Sequence, residues 1–148
     1  MYCQGDAETP QIRTADENIK EAFLAKFGAH MSISGGLHLA LERGHAIGCE
    51  SIQIFTRNQT RWKSKKRTSQ ELEQCRQTQS ETGIAPVVAH AIYLINLASP
   101  DEPVRAKSQA AFEEELERCH QAGIPYLVMH PGSHKSAGLE QGIEYLVL

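Results

Sequence analysis

The sequence predicts an α/β fold built on a parallel sheet, and three observations carry that reading. Short apolar runs alternate with longer stretches of helical pattern, and such alternation implies parallel strands with helices outside. Three of the runs end on histidine: Phe27-Gly28-Ala29-His30, Pro86-Val87-Val88-Ala89-His90 and Tyr126-Leu127-Val128-Met129-His130. Each is followed by loop residues: Ser32-Ile33-Ser34-Gly35-Gly36, then Asn96 with Ser99-Pro100, then Pro131-Gly132-Ser133. Parallel strands would bring the three imidazoles to the C-terminal rim of one sheet, where β/α folds place their chemistry.

Residues 1–26 are polar, show no strand pattern and read as an extension, partly helical from Ala15 to Lys26. The first strand covers 27–30. A helix follows from about Ser34 to Ile47, with Leu37, Ala40, Leu41 and Ile47 keeping a 3.6-residue period and Gly48 as the stop. Ser51-Ile52-Gln53-Ile54-Phe55 is the second strand. After a basic loop over 56–67, Thr68-Ser69-Gln70-Glu71 forms a capping box that opens a helix to about Thr82, ended by Gly83. The third strand is 86–90. Ser99-Pro100-Asp101-Glu102 reads as a second capping box, with Pro103 in the first turn of the next helix. That helix is expected to bury Val104, Ala111, Phe112, Leu116 and Cys119 and to stop near Gly123. The fourth strand is 126–130, and a last helix begins near 137. Four such units are half of an eight-stranded barrel, so residues 27–148 are expected to form a partial (β/α)8 barrel, truncated inside its fourth helix. A half barrel leaves two edge strands and an apolar face uncovered. The chain is therefore expected to be a truncated protein, a fragment or half of an assembly.

At 148 residues the chain is one domain or part of one. With 41% hydrophobic and 22% charged residues, a modest core is attainable and disorder of the whole chain is not expected. The net charge of −3 gives no sign of a nucleic-acid partner, but its distribution does. Arg57, Arg61, Lys63, Lys65, Lys66 and Arg67 fall within eleven residues with no acid among them. Cys3, Cys49, Cys75 and Cys119 form no C-x-x-C pair and are expected to be reduced thiols, which points to an intracellular setting. No apolar run approaches the roughly 18 residues of a membrane span, and no apolar signal core is seen at the N-terminus.

Three constellations bear on chemistry. Histidines at equivalent strand ends suit a shared metal or active site, although a lone strand-end histidine is ordinarily structural. In His130-Pro131-Gly132-Ser133-His134 the Pro-Gly pair forces a sharp turn that folds Ser133 and His134 back over the rim, or simply leaves a surface histidine. Asn58-Gln59-Thr60-Arg61-Trp62-Lys63 combines cations with one aromatic ring, a pairing that suits phosphates and bases or sugars. It is equally compatible with a solvated loop whose Trp caps the rim. Tyr93, three residues beyond His90, is either core or a group projecting over the rim as a wedge.

Taken together, four motifs resemble the endonuclease IV family of apurinic/apyrimidinic-site endonucleases of base-excision repair. They are Gly28-Ala29-His30-Met31-Ser32 with Gly35-Gly36; Ile54-Phe55-Thr56-Arg57-Asn58-Gln59 with Trp62; His90-Ala91-Ile92-Tyr93-Leu94-Ile95-Asn96-Leu97; and Met129-His130-Pro131-Gly132-Ser133-His134. The resemblance runs over about residues 27–147. It implies an eight-stranded TIM barrel with three zinc ions at the C-terminal rim, and cleavage of the phosphodiester 5′ to an abasic site in double-stranded DNA. It also implies that His90 and His130 are zinc ligands, that His30 and His134 line the site, and that Tyr93 wedges into the DNA stack. Asn58, Gln59, Arg61 and Trp62 would then form the DNA-contacting loop. The family places an Arg two residues after the loop Asn; here that position is Thr60 and the Arg follows at 61.

The family's remaining metal ligands lie on later strands than this chain contains, and Glu140 and Glu144 fall too early to replace them. Two histidines cannot hold three metals. The expectation is therefore the N-terminal half of such an enzyme, inactive alone and lacking a C-terminal half. The alternatives are a metal-dependent sugar isomerase or epimerase on the same type of barrel, and a non-catalytic DNA-binding remnant.

Overall fold

The computed structural model describes residues 25–147, so nearly all of the polar extension, its expected helix from Ala15 and Cys3 lie outside the described residues. Among the described residues four strands and four helices alternate: β1 (Gly28–His30), α1 (Leu37–Ala46), β2 (Ser51–Phe55), α2 (Ser69–Thr82), β3 (Val87–His90), α3 (Glu102–Ala122), β4 (Tyr126–Val128) and α4 (Leu139–Val147). The sheet order is β1-β2-β3-β4 and every neighbouring pair is parallel. This is the expected β/α succession, with β1 and β4 at the edges.

One face of the sheet carries the core. Side chains alternate across a strand, and Ile52, Ile54, Val87 and Ala89 point to the side covered by helices. There they join Leu37, Ala40 and Leu41 of α1, Cys75 of α2, and Cys119 and Ala122 of α3. Gly44 lets α1 lie close on β2, since a Cβ at that position would stand 2.6 Å from Ile52 Cγ2. A second cluster sits under the loops after β3, where Ala91, Ile92, Ile95 and Ala111 pack with Trp62, Leu94, Leu97, Phe112, Leu127 and Met129. The two buried thiols sit in the first core, and burial followed by the nearby Glu115 pushes Cys119 up to about 11.

Local signals held where they were self-contained. Thr68 Oγ1 accepts from Glu71 N, and the Glu71 carboxylate accepts from Thr68 N, completing the capping box. Gly83 ends α2 in the left-handed region at φ 69°.

Elsewhere the structure corrects the reading. α1 starts at Leu37 rather than Ser34, because Gly35 and Gly36 hold positive φ ahead of it. Ile47 is 67% exposed as the C-cap residue, outside the apolar stripe. The N-cap of α3 is Asp101, whose Oδ1 accepts from Val104 N, while Ser99 Oγ accepts from Asp101 N one turn earlier. Leu116 is 49% exposed, and Ser108, Glu115 and Arg118 occupy the buried side of α3 instead. β3 starts at Val87, and β4 stops at Val128 because its ladder with β3 ends at the His90–Val128 pair. His130 therefore lies in the loop beyond β4.

The other face of the sheet is open. Phe27, Tyr126 and Val128 are exposed there and at the edges, and α4 presents Leu139, Ile143 and Val147 to solvent.

Candidate functional site

The strand register sorts the histidines. Paired residues on parallel strands point the same way, and His30 pairs with Gln53, Phe55 with His90, and His90 with Val128. Stepping by two along β2 and past β4 keeps the same face. His30, Phe55 and His90 thus share the open face at the rim, and His130 follows two residues after Val128 in the same parity. The ring centroids of His90 and His130 are 5.1 Å apart. Phe55 lies between His30 (4.6 Å) and His90 (5.5 Å), and continues the row of rings.

The hydrogen bonds of each ring decide what it can offer. His90 Nδ1 donates to the Ala91 carbonyl at 2.7 Å and the residue is buried. That bond fixes the tautomer with the proton on Nδ1 and leaves the Nε2 lone pair for a metal or a proton. His130 is exposed and stands opposite. His30 Nδ1 donates to Gln53 Oε1 at 3.0 Å, so this exposed ring is held beside the pair. Tyr93 is 60% exposed and stands 5.5 Å from His90, 5.3 Å from Phe55 and 6.4 Å from His130, centroid to centroid. It is a rim group, which resolves the choice between core and projection. Among the described residues, no three His, Cys, Asp or Glu side chains gather closely enough to hold a metal ion.

The turn after β4 is folded back as the Pro-Gly pair implied, and its anchor is Asn96. Asn96 Oδ1 accepts from Ser133 N at 2.9 Å, and its Nδ2 donates to Ser133 O at 3.2 Å. Ala98 N donates to Pro131 O at 3.1 Å. His134 is not part of the ring cluster. Its Cβ lies against Gly142 of α4, and its Nδ1 is buried without a hydrogen-bond partner.

The basic loop divides into a buried anchor and a displayed stretch. Arg57 is 1% exposed: its Nε donates to Glu115 Oε1 at 2.6 Å, and its Nη1 donates to Glu114 Oε2 at 2.7 Å and to Trp62 O at 3.1 Å. Thr56 Oγ1 donates to the other oxygen of Glu115. Arg118 donates to Ser64 O and Lys65 O from the next turn of α3. Burial works against the ionised Glu114, but the Arg118 and Arg57 guanidiniums outweigh it and hold its carboxyl below the usual range. Arg67 is half-buried against Glu71 and the Thr56 carbonyl. Of the six cations in the run, Arg61, Lys63, Lys65 and Lys66 are exposed. Asn58 Oδ1 accepts from Thr60 N and Oγ1, so this side chain builds the turn. Gln59 is half-buried and Arg61 stands exposed after the turn. Trp62 packs into the second cluster with Lys107 Nζ 4.4 Å from its ring centre.

Two positions that shape the rim escape a reading of the sequence. Glu115 looks like one acid of a helical surface, and only its separation of 58 residues from Arg57 is bridged by the fold. Asn96 reads as a loop residue, and nothing local ties it to Ser133. Phe55, in contrast, was legible as the rim end of its strand.

Comparisons with known proteins agree with this geometry. The family model described as a xylose isomerase-like TIM barrel matches residues 41–147. The protein named probable endonuclease 4 of Chloroflexus aurantiacus is 51% identical over 120 residues, which are 81% of this chain and 42% of that protein. The chain thus spans about two-fifths of the length of the curated relatives it matches. The crystal structure of endonuclease IV from Thermus thermophilus superposes with a TM-score of 0.73 at 32% identity, over 83% of this chain and 45% of that one. A D-psicose 3-epimerase superposes with a TM-score of 0.56 at 18% identity, over 81% and 46% of the two chains, and shares the fold alone. The matched motifs, the parallel half-barrel sheet and these relatives place the chain in the xylose isomerase-like TIM-barrel family, beside its endonuclease 4 members.

Proposed function

We propose that this chain supplies the N-terminal half of a zinc-dependent endonuclease IV-type DNA repair enzyme that hydrolyses the phosphodiester 5′ to abasic sites. The observation that carries the reading is the His90–His130 pair, 5.1 Å apart on the open rim, with the His90 tautomer set by the Ala91 carbonyl. A neutral imidazole with a free Nε2 and a carbonyl behind Nδ1 is the donor chemistry of a zinc ligand. When bound, zinc supplies a Lewis acid at a phosphate oxygen and eases loss of a proton from water.

The rest of the chemistry belongs to this chain's residues. Arg61, Lys63, Lys65 and Lys66 offer charge to DNA phosphates beside the rim. Tyr93 presents a ring beside the His90 and His130 imidazoles, where it can fill the gap in a base stack left by a missing base. Two imidazoles fit one side of a zinc site and leave it incomplete, since a catalytic zinc takes three protein ligands. The other ligands would come from strands closing the barrel against β1 and β4.

Incubating the purified 148-residue chain with zinc and a duplex carrying one abasic site tests this. The expected result is no incision by the chain alone, and incision when a polypeptide carrying the remaining strands of a family member is added. Incision by the chain alone would overturn the half-site reading.

A further inference from the structure

We infer that Asn96 is a positioning residue that holds His130 opposite His90; the inference rests on the reading of those two imidazoles as a metal pair. Asn96 lies in the loop after β3 and reaches across to the loop after β4. Its amide oxygen accepts from Ser133 N and its amide nitrogen donates to Ser133 O, at 2.9 and 3.2 Å. A side-chain amide engaging both polar groups of one residue fixes that backbone in position and orientation. His130 is three residues before this clamp, in a segment with no strand ladder of its own.

The clamp is itself held. Asn96 N donates to Ser108 Oγ at 3.0 Å, and Ser108 Oγ donates to Val104 O at 2.7 Å. Ser108 is fully buried on α3. Asn96 is thus referenced to the helix, and the turn is referenced to Asn96. The turn side fits only glycine at 132, where φ is 103° and a Cβ would overlap the Asn96 amide oxygen. His90, at the other side of the pair, is fixed independently through Ala91: its ring holds the Ala91 carbonyl and Ala91 N donates to Val128 O at 2.9 Å. Loss of the clamp should therefore loosen His130, leaving its turn tied at Pro131 through the Ala98 N–H, and leave His90 in place.

The experiment uses NMR on the 148-residue chain with Asn96→Ala and Asn96→Asp. Three readouts are taken: Ser133 amide exchange, the His90–His130 ring-proton cross-relaxation, and the ring shifts on adding zinc. In Asn96→Ala, loss of two neutral hydrogen bonds should speed Ser133 exchange about tenfold or more. The ring cross-peak should weaken, and the zinc response of His130 should fall by a similar factor while His90 still responds. Asn96→Asp keeps the acceptor for Ser133 N and sets an anionic oxygen against Ser133 O, so its effects should be smaller on exchange and comparable on zinc. It also carries the test if Asn96→Ala loses its cooperative melt. Unchanged exchange and unchanged cross-peak in the folded variants would overturn the inference. If neither wild-type ring responds to zinc, the metal reading fails, and exchange and cross-relaxation still judge the clamp.

Discussion

Arg57 shows how one side chain can change meaning between sequence and structure. Six cations with no intervening acid suggested one binding surface, yet Arg57 is sealed against Glu115, which is itself fully buried. Removing one member of a buried ion pair strands the other charge away from water. Arg57→Ala or Glu115→Ala should therefore cost about 3–5 kcal/mol, whereas replacing both with apolar residues of similar volume should cost far less. Urea unfolding of the two single variants and the double variant checks this, and equal additive losses would contradict it. The sequence could not reveal the pairing because the partner lies 58 residues away on another element. The same holds for Asn96 and Ser133, 37 residues apart. The rim histidines were legible because their positions follow from strand parity, which is local; only the end of β4 was misplaced.

Among the elements, α3 does most to shape the rim. Through Glu114, Glu115 and Arg118 it grips the base and middle of the basic loop, and through Ser108 it seats the loop after β3. Its buried polar side is why the apolar periodicity over 104–119 misplaced Leu116, while Ala111 and Cys119 are buried as that periodicity implies. α2 was read correctly because its capping box and its Gly83 stop are each settled within a few residues. These two helices also carry the acid sensitivity. The backbone N–H of Thr68 holds the Glu71 carboxyl below its usual range, and the Arg118 and Arg57 guanidiniums do the same for Glu114 against the effect of burial. A carboxylate with a lowered folded pKa stabilises the fold above its unfolded pKa of about 4.3, and that stability is lost as pH falls through the folded value. Melting temperature should therefore drop on acidification below about pH 5. Glu71→Gln should flatten that drop while lowering stability at neutral pH; an unaltered acid limb would refute the assignment.

For the whole molecule, the parallel order, the number of units and the uncovered face were readable from alternation of short apolar runs with helical patterns. The cation balance at the rim was not, since exposure depends on the packed loop. With Arg57 buried and Arg67 half-buried, four exposed cations remain in this loop, and under the proposed function these are the ones open to DNA phosphates. The slope of log affinity against log salt contributed by this loop should be no steeper than about −3.6, at about −0.9 per phosphate contact. Titration of a labelled duplex at several salt concentrations measures it, and Arg57→Lys should leave the slope unaltered if the protein stays folded. A slope that loses one contact in that folded variant would return Arg57 to the binding surface.

The two-residue repeat of the strands has a further consequence for how such a rim can vary. Shifting β3 by one residue against β2 would send the imidazole of His90 into the helix-packed interior and bring Ala89 to the open side. An inserted or deleted residue within a strand would thus exchange hydrophobic filler for chemistry, while one in a loop would leave that assignment alone. The strands behave as a parity code, and the loops are where length can change without altering the message.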